Sequence, residues 1–132
     1  MSTHEAEIRT TVERYAQAWR DGDRTTMAAL YHDSFTLHYT GHHALSGDHA
    51  GKAASLAILA EFSRRTNRRL VAIAAVLSGA ERGAVIAREV FRKGETVAEL
   101  ERVLIYAVRD GQLSECWVYD ADPELVARFV ES

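Results

Sequence analysis

The sequence predicts an α+β domain in which three helices pack against one curved, largely antiparallel sheet. Three observations lead there. Helical spacing dominates the first half of the chain and strand-like patterning the second, so helices mostly precede strands instead of alternating with them. Four strand-like segments then follow one another with only short turns between, which makes them antiparallel neighbours. The 132 residues, 47% of them hydrophobic, suit one domain with a sizeable core, here taken as residues 1–132.

Ser2 and Thr3 can cap a first helix, with Glu5 and Glu7 near its start, where the helix dipole favours acids. Ile8, Val12, Tyr15, Ala16 and Trp19 form its apolar stripe, and Asp21-Gly22-Asp23 ends it. Asp23 can cap a short second helix running through Met27, Leu30 and Tyr31. His32-Asp33-Ser34 breaks that helix, and residues 35–40 alternate as a strand, with Phe35, Leu37 and Tyr39 opposite Thr36, His38 and Thr40. Residues 41–51 read as a loop. Residues 52–66 read as a third helix, apolar around much of its surface and so expected to be sandwiched. The four later strands are expected at 70–77, 84–92, 96–108 and 113–120, with Lys93-Gly94-Glu95 and Arg109-Asp110-Gly111-Gln112 as tight turns. Pro123 opens a last helical segment through Val130.

Composition excludes several function classes. The net charge of −3, spread without a basic stripe, argues against nucleic acid as a partner. No apolar run is long enough for a membrane span, and Met1 to Thr10 lack a secretory core. Cys116 is the single cysteine, so no intrachain disulfide forms and a cytoplasmic location is expected. Fourteen Arg against two Lys, with abundant Ala, fit a GC-rich bacterial genome. The strands are apolar on both faces at several points. Val85, Phe91, Val103, Ile105, Trp117 and Tyr119 are candidates for an outer face that a sheet-to-sheet homodimer would cover.

The element order, together with residues 13–23 (ERYAQAWRDGD), residues 45–51 (LSGDHAG) before the third helix and residues 108–113 (VRDGQL) at the last hairpin, resembles the nuclear transport factor 2-like superfamily. Within it, the chain looks most like the SnoaL-like polyketide cyclase and ketosteroid isomerase branch. The resemblance implies a cone-shaped, barrel-like fold enclosing a pocket for a small-molecule ligand, a sheet-mediated homodimer, and proton-transfer chemistry that needs no cofactor. Carried over residue by residue, the oxyanion-donating tyrosine of ketosteroid isomerases falls on Tyr15 and their general-base aspartate on His38. Their protonated aspartic acid falls on Leu104, whose side chain cannot donate a hydrogen bond. The acid/base carboxylate of SnoaL-type cyclases has Asp120 as its nearest counterpart.

His38, Asp120 and Tyr15 are therefore the candidate catalytic residues. His38 lies on a polar strand face, where it lines a pocket, transfers a proton, or sits satisfied at the core's rim. The ligand-binding wall is expected from Trp19, Thr40, Leu56, Phe62, Ile86, Arg88, Arg102, Leu104 and Val118. Arg88 and Arg102 each stand on an otherwise apolar strand face and need an acid, with Glu89, Glu99, Glu101 and Asp120 available, or else an anionic ligand. His42, His43 and His49 lack a fixed scaffold and are not read as a metal site. The basic run Arg64-Arg65-Thr66-Asn67-Arg68-Arg69 reads as a solvated helix end. Three uses remain open: an isomerase or cyclase, a non-catalytic binder, and a scaffold whose pocket is filled by its own side chains. The enzymatic one requires Tyr15, His38 and Asp120 to converge on one cavity.

Overall fold

The computed structural model describes residues 3–131. In chain order the elements are α1 (Thr3–Asp21), α2 (Arg24–Leu30), β1 (Tyr31–Tyr39), β2 (Gly47–His49), α3 (Lys52–Thr66), β3 (Arg69–Ser78), β4 (Gly83–Lys93), β5 (Thr96–Arg109), β6 (Gln112–Asp120) and α4 (Pro123–Glu131). The six strands form one mixed, open sheet in the order β2-β1-β6-β5-β4-β3. Only β1 and β6 run parallel; the other neighbours are antiparallel. Among the described residues, no helix is long and apolar enough to cross a membrane. Ser2, half of the expected first cap, lies outside the described residues.

Local chemistry explains most boundaries. The Asp23 carboxylate accepts from the Thr26 amide at 3.1 Å and from its hydroxyl at 2.6 Å, which caps α2 as the sequence suggests. Asn67 ends α3 in the left-handed conformation (φ 48°), and its amide donates to the Ser63 carbonyl. At the last hairpin, Asp110 and Gly111 both have positive φ, the geometry a two-residue turn of right-twisted strands requires. At Gly83 the reason is space. A Cβ there would come within 2.7 Å of Val12 Cγ2 and 3.0 Å of Ile8 Cγ2, so glycine lets α1 lie directly on the start of β4.

The sequence reading needs four structural corrections. Strand β1 begins at Tyr31, four residues early, because Tyr31 is already extended and pairs with Leu113 of β6. The loop before α3 contains β2, paired with β1 through His38 and Asp48. Helix α3 is not sandwiched: only Ser55, Phe62 and Thr66 are buried, since the helix flanks an opening. Val85 and Phe91 face the helices, not the outside, and both are fully buried.

The core lies between the helices and the concave face. Phe35, Leu37 and Tyr39 of β1, Val85, Ala87 and Phe91 of β4, Leu100, Leu104 and Tyr106 of β5, and Cys116 and Val118 of β6 supply the sheet's share. Phe62 of α3 meets Phe91 edge-on at 5.5 Å, and Phe91 meets Phe129 of α4 at 5.7 Å. Ser55 pins α3 to β1 and β2: its hydroxyl accepts from the Leu37 amide of β1 at 3.2 Å and donates to the His49 carbonyl of β2 at 2.7 Å.

Candidate functional site

The concave face, α1, α2 and α3 surround two connected spaces. The inner one is a narrow cavity of about 50 Å³ walled by Tyr15, Trp19, Met27, Tyr31, Phe35, Leu37, Leu59, Arg68, Arg102, Leu104, Tyr106, Cys116 and Val118. That volume is on the scale of a water or two, not of an organic ligand. The outer one is a mouth of about 650 Å³ between α1, α2, α3 and the start of β3. Trp19, Met27, Tyr31 and Arg68 belong to both walls.

Tyrosines gather at the inner end. The Tyr15 and Tyr31 hydroxyls are 2.5 Å apart, and either can donate. The Tyr106 ring lies 5.5 Å from that of Tyr15. Burial raises the pKa of all three phenols, so they stay protonated at neutral pH. They can donate to a ligand oxygen or a developing oxyanion; they cannot serve as bases. Burial also pushes the Cys116 thiol up to about 12, which removes its nucleophilic form.

A buried charge cluster lies beside the cavity. The Arg102 side chain is 1% exposed, and its Nη1 donates to Glu89 Oε2 at 2.7 Å while Nε donates to Asp120 Oδ1 at 2.7 Å. Its Nη2 donates to the Tyr39 hydroxyl at 3.0 Å, which in turn donates to Asp120 Oδ2 at 2.8 Å. The guanidinium stands 4.5 Å over the Phe62 ring. Burial works against this charge, but Tyr39, Glu89 and Asp120 outweigh it and hold the Arg102 pKa well above its ordinary value. Arg68 Nη1 reaches the other Glu89 oxygen at 3.6 Å, an ion pair too long for a hydrogen bond.

A profile of the SnoaL-like domain matches residues 12–116. The chain belongs to the SnoaL-like domain family. The fold has many solved relatives. Bal32a, from a soil-derived mobile gene cassette, is 21% identical with a TM-score of 0.82, over 96% of this chain and 98% of that one. A nuclear transport factor 2-like protein from Burkholderia xenovorans LB400 is 22% identical with a TM-score of 0.76, over 98% and 99%. TerC, co-crystallised with polyporic acid, is 19% identical with a TM-score of 0.77, over 96% and 99%. Curated protein sequences returned no match.

The SnoaL-like cone brings together only part of the expected set. Tyr15, Trp19, Arg102, Leu104 and Val118 line the inner cavity, and Leu56 lines the mouth. Phe62 packs behind, against Tyr39, Phe91 and Arg102. Asp120 is closed off by Arg102 and Tyr39. His38, Ile86 and Arg88, expected in the pocket, lie on the opposite face of the sheet. Thr40 is not in the cavity wall; it follows β1 and bonds the Val118 carbonyl. In β1, Leu37 and Tyr39 take the inner positions. In β4 the inner set is Val85, Ala87, Glu89 and Phe91, one residue out of phase with the expected set. Tyr15, His38 and Asp120 therefore do not converge on one cavity.

Tyr31, Tyr106 and Arg68 were missed as site residues, whereas Glu89, one of the four acids offered to Arg88 and Arg102, is a partner of Arg102. Tyr106 carried a signal, since it follows Arg102 and Leu104 at strand spacing. Arg68 carried none, because the αL turn at Asn67 aims it inward. The loop histidines do not assemble: His43 Nδ1 accepts from the Leu45 amide, and His49 Nε2 donates to the Leu45 carbonyl. Among the described residues, no group of three His, Cys, Asp or Glu is placed to hold a metal ion.

On the outer face His38 bridges two acids. Its Nδ1 donates to Asp48 at 2.6 Å and its Nε2 to Glu115 at 2.7 Å, while its ring stacks on Trp117 at 5.0 Å. Two donating nitrogens make this the imidazolium form. Burial lowers the His38 pKa, yet the hydrogen bonds and charges of Asp48 and Glu115 outweigh it and raise the pKa above 6.5. A raised folded-state pKa gives stabilisation that is complete below the unfolded value and fades as pH rises through the folded one. His38→Gln should thus cost more stability at about pH 5.5 than at about pH 8.5. Equal losses in urea unfolding at the two pH values would show that the clamp contributes no charge.

Proposed function

We propose that this SnoaL-like protein binds a small, largely apolar, cyclic molecule in the mouth of the cone. One observation carries the reading: the mouth has apolar walls from Trp19, Met27, Ala28, Leu56, Ala60 and Leu70, and it leads to the protonated Tyr31–Tyr15 pair at its inner end. The ligand's body would rest on those walls, and an oxygen at its leading end would accept from Tyr31. The inner cavity is almost filled by the protein's own side chains, so the ligand is held in the mouth, not deep in the cone.

A cofactor-independent isomerase or cyclase is the second reading. The buried phenols favour it, because donors aimed at a developing oxyanion are what such chemistry uses. It lacks a free proton acceptor: Asp120 is engaged by Arg102 and Tyr39, and Glu89 by Arg102 and Arg68. Binding is therefore better supported than turnover. We also propose that the protein is a homodimer through the outer face of the sheet.

The binding reading is tested with N-phenylnaphthylamine, a neutral aromatic probe that brightens in apolar surroundings. Wild-type protein should bind it saturably. Ala60→Trp, which sets an indole into the mouth from an exposed helix position, should weaken binding by roughly tenfold, the cost of losing one or two methylenes' worth of apolar contact. Unchanged binding by the folded variant would show that the probe sits elsewhere and that the mouth is not the site.

A further inference from the structure

We infer that the ligand is an organic anion, and that its acidic group docks on Arg68. The inference rests on the mouth being the binding site and adds the ligand's charge and the residue that reads it.

The first argument is the placement of Arg68. Its guanidinium lies 5.2 Å from the Phe62 ring centre, and its Nε donates to Ser63 Oγ at 2.8 Å. These contacts fix the plane of the group while using one of its five donors. Among the described residues, Nη1 and Nη2 make no hydrogen bond; Nη1 only pairs with Glu89 at 3.6 Å. The side chain is 20% exposed and belongs to the walls of both the mouth and the inner cavity. A planar, anchored guanidinium at a ligand-sized opening, with Nη2 unpaired and Nη1 held only by the long ion pair to Glu89, is suited to a carboxylate, enolate or sulfonate, which can take both nitrogens in parallel bonds.

The second argument is charge. The mouth is lined by Arg24, Arg68 and Arg69 against one carboxylate, Glu89. Arg102 holds Glu89 from the buried side at 2.7 Å but shares its charge with Asp120, so the positive excess at the mouth is that of the lining itself, three guanidinium groups to one carboxylate. The protein as a whole carries a net charge of −3, which makes a positive opening a local feature and not a consequence of overall composition. A cleft of one sign between low-dielectric walls raises the local concentration of the opposite charge.

The third argument is the partition of the walls. Trp19, Met27 and Leu56 offer an apolar surface from the helices, while Arg68 and Arg69 lie together at the start of β3. An apolar cation would find no free carboxylate. A neutral hydrocarbon would leave the Arg68 donors to water. An amphipathic anion satisfies both halves.

The experiment compares two probes of similar shape: anilinonaphthalene sulfonate, which is anionic, and N-phenylnaphthylamine, which is not. Wild-type protein should bind the sulfonate more tightly, and that preference should shrink as sodium chloride is raised. Arg68→Gln should weaken the sulfonate by about tenfold while changing the neutral probe by less than about twofold, as expected for loss of a charge-assisted pair. Arg68→Lys should fall between, keeping charge but losing the planar fork. Neutral-probe affinity reports whether the variants fold. If either variant fails to fold, the wild-type salt titration alone decides, since a preference indifferent to salt contradicts an ionic contact. Arg68→Gln affecting both probes equally, or neither, overturns the anion inference and leaves the mouth intact as a site. Neutral binding insensitive to Ala60→Trp overturns the mouth itself.

Discussion

Arg102→Met is expected to destabilise the fold by about 3–5 kcal/mol, the scale measured when one partner of a buried ion pair is removed. The reason is what the substitution leaves behind. Glu89 and Asp120 are 1% and 4% exposed at the side chain, and both aim an oxygen at the guanidinium. Methionine keeps the contact with Phe62 but gives neither carboxylate a partner. Arg68 cannot substitute, because it reaches Glu89 only at 3.6 Å and from the mouth side. Tyr39 would keep its bond to Asp120 and lose the one from Arg102. Urea unfolding followed by far-ultraviolet circular dichroism measures the loss. The combined variant Arg102→Met, Glu89→Gln, Asp120→Asn is the informative control. It removes the stranded charges, so it should recover part of the stability lost by the single change. A loss below about 1 kcal/mol in the single variant would mean that water reaches the cluster, and that the cluster does not organise the core.

The same cluster explains what could and could not be read in advance. Helix α3 was legible to the residue, because its apolar spacing and the glycine before it are local. The last hairpin was legible because Asp110 and Gly111 tolerate positive φ. Strand β5 was legible in phase, since Arg102, Leu104 and Tyr106 alternate with Glu101, Val103 and Ile105. Strand β4 was not. Its odd positions contain Glu89 and its even positions contain Arg88, and both sets are otherwise largely apolar. The choice is made by Arg102, which needs an acid from the neighbouring strand, and the register sets Ala87 opposite Arg102, two residues from Glu89 on the same face. That is a long-range fact no local pattern encodes. His38 went to the outer face for a related reason: β1 pairs in parallel with β6, and a parallel partner eighty residues away leaves no turn to fix the phase. Arg68 shows the limit at the site. In sequence it is one of four arginines at a helix end, and only the backbone reversal at Asn67 separates it from its solvated neighbours.

Tyr119→Asp is expected to convert the protein from a dimer to a monomer. The registers of β4, β5 and β6 set Ile86, Val103 and Tyr119 in one row across the outer face, and Ala84, Ile105 and Trp117 in the next. Toward the other end the opposed pair is Arg88 and Glu101, so an apolar centre passes into a charged margin. On the isolated chain Tyr119 is 44% exposed, which is unusual for a large aromatic ring with apolar neighbours in its row and the next. A second copy laid on this face would cover that centre, and a carboxylate at 119 would then be buried without a partner. The fold itself should be little affected, because Tyr119 projects away from the core and Val118 and Asp120 carry the inner contacts of β6. Sedimentation velocity separates the outcomes. Wild type should sediment at twice the chain mass and the variant at the chain mass, with matching circular dichroism spectra. A wild-type protein that is monomeric at all concentrations would refute the sheet-to-sheet interface, and the outer rows of Ile, Val, Trp and Tyr would then need a different cover. A dimer untouched by Tyr119→Asp would move the interface elsewhere. The mouth is walled by α1, α2, α3 and the start of β3, on the opposite side of the sheet, so dimerisation and ligand binding should vary independently: Tyr119→Asp should leave N-phenylnaphthylamine affinity unchanged.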